Sequence, residues 1–483
     1  MGTIRTFSIL TLGCKVNQYE SAQIRQFLEG QGLSWVGPGV KPDLFVVNTC
    51  CVTSTAAAKS RQYIERAKKL NEQAVLVICG CLAAQQEGEL QLPENDAIHL
   101  VTNRDTLAGK LLQIIGGARS GCSLTNSSSI SSISQHSFIK PENNQEINTF
   151  AGLTSLPKLP LLTSFKEQTR AFLKVQDGCD GLCSYCIIPK IRQEVQSKPV
   201  EDAVAEATAL VAAGHKEIVV TGVNLGAYGR DTARRISQIS DFRFTIFDLL
   251  TALARIPGLM RIRVSSLEPG DISEGLLDVF CKYSNIMPHI HLSVQSGSDA
   301  ILRRMCRQYS AAELREKIDL IKRRLDRPAI TCDIIVGFPG ETEEDFQATV
   351  ELAKWAGFSK MHIFPFSARA GTAAEKMKDK IQPKVTKERA EILRKLGDEL
   401  GFKFREKFIG ENCEVLLEDT EPILGRCERY FMVFLTTKSQ SHEEPRRKSV
   451  DNLVPRCLGG KNEIVKVRLT ANRDDGAEGE TEK

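Results

Sequence analysis

Cys179, Cys183 and Cys186 lie in a C-x3-C-x2-C run within the stretch VQDGCDGLCSYCIIP. Three thiols at that spacing can serve one inorganic centre, and thiolates select iron–sulfur clusters or zinc. The run is one ligand short of closing a four-iron cluster. An iron left without a protein ligand can bind a small molecule, which turns an electron-transfer centre into a reaction centre. The alternative is a zinc knob completed by a distant fourth ligand, although zinc sites more often pair two C-x2-C units. Further cysteines occur upstream at Cys14, Cys50, Cys51, Cys79 and Cys81.

The elements that must position these thiols follow from the hydrophobic pattern. In residues 1–118, TFSILTL, DLFVVNTC and AVLVICGC read as short apolar strands separated by helical stretches. That rhythm implies a parallel sheet covered on both faces. The three cysteine segments fall at strand C-termini, the edge where open parallel sheets gather their ligands. Residues 119–165 are Ser-rich and then Pro-punctuated, and read as a flexible linker. Residues 166–408 resume the β/α rhythm with about six strands, each followed by a helix, and end in a basic helical extension. Six units suit a partial (β/α)6 barrel, whose active site would lie at the strand C-terminal face. The Cys179 run follows the first of these strands. Residues 409–471 look all-β and would fit a small antiparallel barrel, and residues 472–483, acidic and Gly-rich, read as a disordered tail. The fold class is therefore α/β with a C-terminal β-barrel.

Composition narrows the function classes. The chain has 483 residues, a net charge of +4, 42% hydrophobic residues and 15 cysteines. The charge is too small for a global basic field, so any nucleic-acid contact must come from local patches. No apolar run reaches transmembrane length, so no membrane partner is expected. The opening MGTIRTFSILTLGCKVNQ lacks the apolar core and small-residue cleavage site of a secretory signal. Many cysteines in a chain of this length without a secretory signal point to metal or redox chemistry in a reducing, cytoplasmic setting.

VQDGCDGLCSYCIIPKIR resembles the cluster motif of radical S-adenosylmethionine enzymes. TLGCKVNQYES, VVNTCCVT and ICGCLAAQ resemble the three cysteine boxes of the methylthiotransferase family within that superfamily. EIVVTGVNLGAYG, RIRVSSLEP, HLSVQSGSDAILRRMCRQYS, CDIIVGFPGETEEDF and HIFPFSARAGTAAEKM follow in the family's order, and the C-terminal strands look like its RNA-binding TRAM barrel. TLGCKVN is similar to the subgroup acting on N6-threonylcarbamoyladenosine in tRNA. The alternatives are isopentenyladenosine in tRNA or a ribosomal-protein aspartate.

The resemblance implies two 4Fe-4S clusters, one on Cys179, Cys183 and Cys186 and one on Cys14, Cys50 and Cys81. It implies S-adenosylmethionine as cofactor, tRNA as partner, and an electron donor such as flavodoxin or ferredoxin. One cofactor molecule would methylate a cluster-borne sulfur. A second would yield the radical that removes the C2 hydrogen of adenosine, a C–H bond with no useful acidity. Gly222, Ser265, Glu268, Gln295 and Gly337 are the expected cofactor contacts, and Arg304 and Arg307 the expected substrate contacts. Lys376, Lys378, Lys380, Lys384 and Lys387 form a charge run suited to tracking phosphates. The chain departs from the family after IIP, where KIRQEVQSKP keeps Arg192 but thins the usual basic box to Lys198. RDTARRISQISDFRF and SQSHEEPRRKS look like insertions.

Overall fold

The computed structural model describes residues 3–37, 39–85, 97–119, 158–166, 168–230, 244–435 and 462–481. Most of the Ser-rich linker, residues 231–243 of the first insertion, SQSHEEPRRKS, Cys122 and Cys457 lie outside them. The chain divides into two compact units. The first comprises residues 1–12, 23–50 and 58–160, and the second residues 13–22, 51–57 and 161–483.

The first unit is a parallel sheet of β1 (Thr6–Thr11), β2 (Ser34–Trp35), β3 (Leu44–Thr49), β4 (Val75–Gly80) and β5 (Ile98–Leu100), in the order β2-β1-β3-β4-β5. LFVVNT and VLVICG are buried along their whole length, as strands covered on both faces must be. Val46, Val75 and Val77 pack on one face against Ile24, Leu28 and Leu111. Phe45, Val47, Leu76 and Ile78 pack on the other against Ile64 and Ala67.

The second unit holds the predicted six parallel strands. β6 (Arg170–Asp177), β8 (Glu217–Gly222) and β9 (Arg261–Val264) form one sheet, extended by the antiparallel β7 (Gln196–Ser197). β10 (His289–Gln295), β11 (Ala329–Val336) and β12 (Lys360–Pro365) form another. Parallel bridges Ile262–Ile286 and Leu267–Leu292 join the two into an open barrel wall. Side chains alternate along these strands. Ile218, Ile262, Ile290, Leu292, Cys332 and Ile334 belong to the apolar core. The opposite face carries Arg170, Lys174, Glu217, Arg261, Arg263, His289, His291, Asp333 and His362. A surface this polar is filled by ion pairs and hydrogen bonds, not by apolar packing.

Downstream, β13 (Asn412–Thr420), β14 (Ile423–Cys427), β15 (Met432–Leu435), β16 (Ile464–Asn472) and β17 (Ala477–Thr481) close a five-stranded barrel in the order β13-β14-β15-β17-β16. The strand β17 corrects the expected disordered tail. AEGET pairs with both β15 and β16, and places Ala477 and Gly479 inward. Gly479 has to be small there, because a Cβ would collide with Val467. The expected linker also ends earlier than position 165. Leu162 and Phe165 are buried in the core, with their N–H groups donating to Glu206 and to His215 Nε2.

The small barrel is fastened to the parallel strands by two buried arginines. Arg261 and Arg263 are at most 1% exposed. Their guanidinium groups donate to the carbonyls of Glu414, Arg426, Cys427 and Glu428 at 2.7–3.0 Å. Glu217, also buried, accepts from Arg263 Nε at 2.8 Å, and His289 stacks on Tyr430 with ring centroids 4.3 Å apart.

Candidate functional site

The Cys179 loop begins where β6 stops. Gly178 turns the chain at φ +76, and a Cβ there would collide with the Glu194 carbonyl. Gln176 braces the turn: its Nε2 donates to the carbonyls of Asp177 and Gly178 at 2.8 Å, and its Oε1 accepts from the Asn224 N–H at 2.8 Å. Gly222 makes room for that brace, since a Cβ there would stand 2.9 Å from the Gln176 side chain. The Cys179 N–H donates to the Arg192 carbonyl at 3.0 Å, and Ser184 is tied to the backbone of Arg304, Met305 and Ala374. Arg192 itself is buried against Asp177, Glu20 and Asn17. Lys198 pairs with Glu206 and Tyr19. Both survivors of the thinned basic box are thus internal supports.

Two sulfurs of the loop meet polar donors. The Gly181 N–H reaches Cys179 Sγ at 3.3 Å. Arg307 Nη1 reaches Cys183 Sγ at 3.0 Å. Burial and the neighbouring thiols push Cys179 up and Cys186 up to about 12. Among the described residues, no three His, Cys, Asp or Glu side chains converge tightly enough to hold a single metal ion. The N–H and guanidinium donors aimed at the sulfurs are of the kind that orient and tune thiolates holding an inorganic group.

In the first unit, β1, β3 and β4 are sheet neighbours, and Cys50 and Cys81 directly follow β3 and β4. Cys50 is locked by Ser60, whose hydroxyl accepts from its N–H at 3.0 Å and donates to its carbonyl at 2.9 Å. Cys81 opens a short helix after Gly80, which turns at φ +89. That turn separates it from Cys79, which packs in the apolar core. Arg104 Nη2 lies 4.0 Å from Cys81 Sγ. Cys14 is exposed and belongs to residues 13–22 of the second unit, as buried Cys51 belongs to residues 51–57.

The remaining predicted residues divide. Arg307 pairs with Glu268 and rests on Tyr309 as well as Cys183, so both Arg307 and Glu268 stand at the cysteine loop. Gln295 ends β10 in the left-handed region at φ 62, a sparsely occupied conformation for a residue with a side chain. Arg304, expected at substrate, reaches the Pro339 carbonyl at 3.0 Å and Asp379 at 3.2 Å. Gly337, expected at the cofactor, is small because Thr386 crowds it, and its N–H donates to Glu341 at 2.8 Å. Tyr185 packs edge-on to Phe338. The sequence reading missed Gln176, Asn224, Ser60 and Arg104. Gln176 was marked by lying three residues before Cys179 and Asn224 by lying in the TGVN box, while no local signal marked Ser60 or Arg104.

Ser265, the first residue beyond β9, accepts from Lys15 Nζ at 3.1 Å. Nearby, His291 joins Thr331 through Nδ1 at 2.7 Å and Asp333 through Nε2 at 3.1 Å. His362 lies against His291 with ring centroids 5.6 Å apart, and burial holds it below the ordinary histidine value. On the outer side of β12, a cavity of about 390 Å³ is lined by Gly337, Phe366, Lys380, Thr386, Lys387 and Arg394 among others.

Two families match the chain: the Radical SAM superfamily over residues 173–353 and the uncharacterized protein family UPF0004 over residues 6–102. A Bacillus subtilis (strain 168) protein named threonylcarbamoyladenosine tRNA methylthiotransferase MtaB is 34% identical, over 86% of this chain and 85% of its own length. The Thermotoga maritima protein of the same name is 33% identical, over 86% and 87%. A tRNA-2-methylthio-N(6)-dimethylallyladenosine synthase from Pelotomaculum thermopropionicum is 30% identical, over 86% and 87%. Among solved structures, the radical S-adenosylmethionine methyltransferase TsrM from Kitasatospora setae aligns with a TM-score of 0.46 at 14% identity, over 76% of this chain and 75% of its own. Among the described residues no helix is long and apolar enough to cross a membrane.

Proposed function

The chain belongs to the methylthiotransferase family of radical S-adenosylmethionine enzymes, and we propose that its substrate is N6-threonylcarbamoyladenosine in tRNA, converted to the 2-methylthio derivative. The observation that carries the chemistry is the Cys179–Cys183–Cys186 loop at the end of a barrel strand, with polar donors aimed at the Cys179 and Cys183 sulfurs. The TLGCKVN box supports the choice of nucleoside, as do the relatives named for it.

Cys179, Cys183 and Cys186 hold one 4Fe-4S cluster in this reading, and Cys14, Cys50 and Cys81 the other. When bound, the clusters and S-adenosylmethionine supply an electron, a hydrogen-atom acceptor, a sulfur and a methyl group. The chain's own residues fix the geometry. Gln176 and Arg192 hold the cysteine loop, Arg307 neutralises charge at Cys183, and Glu268 holds Arg307 in place. Gln295 and Ser265 border the mouth where cofactor and nucleoside would meet. The electron comes from a donor such as flavodoxin or ferredoxin, and the reaction takes place in the cytoplasm.

The test is anaerobic. Cluster-replete protein, reductant and S-adenosylmethionine are incubated with tRNA bearing threonylcarbamoyladenosine, and digested nucleosides are weighed by mass spectrometry. A methylthio mass gain on that nucleoside is the expected result. Gain only on isopentenyladenosine tRNA would move the chain to the subgroup of the Pelotomaculum relative.

A further inference from the structure

Lys15 is the residue that directly follows the proposed cluster ligand Cys14 and opens the helix Lys15–Gly30. Its side chain is half-buried, and its ammonium makes a single hydrogen bond, to the neutral hydroxyl of Ser265. Among the described residues it enters no ion pair. The acidic groups whose charge it feels are the phenol of Tyr430 and, after it, the carboxylate of Asp333, which is engaged by His291 at 3.1 Å. Taking a cation out of water without a carboxylate partner is costly, and that cost falls when a ligand brings one. Arg170, Lys174, Lys198, Arg192 and Arg263 of this interior already have carboxylate partners within 3.1 Å, and Arg261 is held by two backbone carbonyls.

We infer that Lys15, with Ser265 beside it, is the specificity-determining residue that receives the carboxylate of the substrate's threonyl group. The inference rests on the substrate reading above and extends it to a named contact. The threonylcarbamoyl substituent carries a carboxylate and a hydroxyl, while an isopentenyl substituent carries neither. The surroundings are polar as well: His291, Thr331, Asp333 and His362 face the same space from β10, β11 and β12. An apolar substituent placed there would leave the ammonium unpaired, and sites built around a polar contact reject analogues that lack it. A carboxylate could also come from the methionine part of S-adenosylmethionine, so the test separates the two sources.

Wild-type protein, Lys15→Met and Lys15→Arg are assayed on tRNA bearing threonylcarbamoyladenosine and on tRNA whose modified adenosine lacks only the carboxylate. Iron and sulfide content are measured for each, which detects any loss of cluster next to Cys14. Lys15→Met is expected to lower kcat/KM on the natural nucleoside by about 10- to 100-fold, the range of a lost charge-assisted hydrogen bond, mainly through KM for tRNA. The preference of natural nucleoside over analogue should shrink by the same factor, and Lys15→Arg should restore part of it. Equal losses on both tRNAs, or a rise in KM for S-adenosylmethionine alone, would overturn the assignment. Ser265→Ala gives a second reading in case the methionine variant misfolds, with the same preference expected to shrink several-fold. If the wild type converts the natural nucleoside and both variants keep its preference, this inference alone fails. If the wild type leaves threonylcarbamoyladenosine unmodified, the substrate reading fails and takes the inference with it.

Discussion

Arg307 shows how one side chain can be claimed by three neighbours. It donates to Cys183, pairs with Glu268 and lies over the ring of Tyr309. The proximity of so many acceptors holds its guanidinium firmly charged, so Cys183 faces a permanent cation. Asp271, three residues past Glu268, has the opposite problem. Its carboxylate caps the Glu268 N–H at 2.8 Å, yet burial raises its pKa from 3.8 to about 6, opposed only by Arg230. A folded value above the unfolded one means that the stability it contributes is fully present below pH 4 and is lost as pH rises through about 6. Two powers of ten in proton affinity correspond to roughly 3 kcal/mol at most. Asp271→Asn keeps an acceptor for the Glu268 N–H and removes the titrating group. The variant should therefore gain about 1–3 kcal/mol over wild type at pH 8 and little at pH 4. Urea midpoints at the two pH values decide this, and a variant that tracks the wild type at both would refute it.

At the scale of elements, the strand RIRV carries a function that its sequence only half disclosed. Its alternation was legible: Ile262 and Val264 enter the apolar core while Arg261 and Arg263 point the other way. What the pattern could not tell is that both arginines are buried, because their partners are carbonyls more than 150 residues downstream. The same physics hid β17. AEGET is too polar and glycine-rich to announce a strand, and it becomes one through pairing with β15 and β16. Gly222 and Gly337, expected as cofactor contacts, are also approached closely by Gln176 and Thr386 of the chain itself, which no local pattern disclosed. The cysteine boxes, the six-strand rhythm and the small barrel were readable because their signals are local. Arg263→Met tests the docking strand. It leaves Glu217 buried without its 2.8 Å partner and orphans two carbonyls. The expected cost is about 3–5 kcal/mol. Replacing Glu217 by Gln in the same chain should recover part of it, which a double-mutant comparison of melting midpoints would show.

Taken over the whole molecule, a net charge of +4 provides little attraction for the tRNA of the proposed reaction, so affinity for it would have to be concentrated locally. The helix Pro383–Glu406 offers such a place. Lys387 and Arg394 are seven residues apart, two turns along one helix face, and both line the cavity beside β12 together with Lys380 and the ring of Phe366. All three cations are exposed, unlike Arg389 on the same helix, which is consumed by Glu341 and Glu343. Exposed cations around an aromatic floor suit a phosphodiester and its base better than S-adenosylmethionine, which has no phosphate. Each phosphate contact releases counterions, so its loss reduces the slope of log affinity against log salt by about 1. Lys387→Gln with Arg394→Gln should weaken tRNA binding at low salt and flatten that slope by about 1–2, while iron content and folding stay as in the wild type. Because such contacts read charge and not sequence, the loss should be equal for tRNA with and without the threonylcarbamoyl group. A loss confined to the modified tRNA would place these two residues at the nucleoside instead of along the backbone.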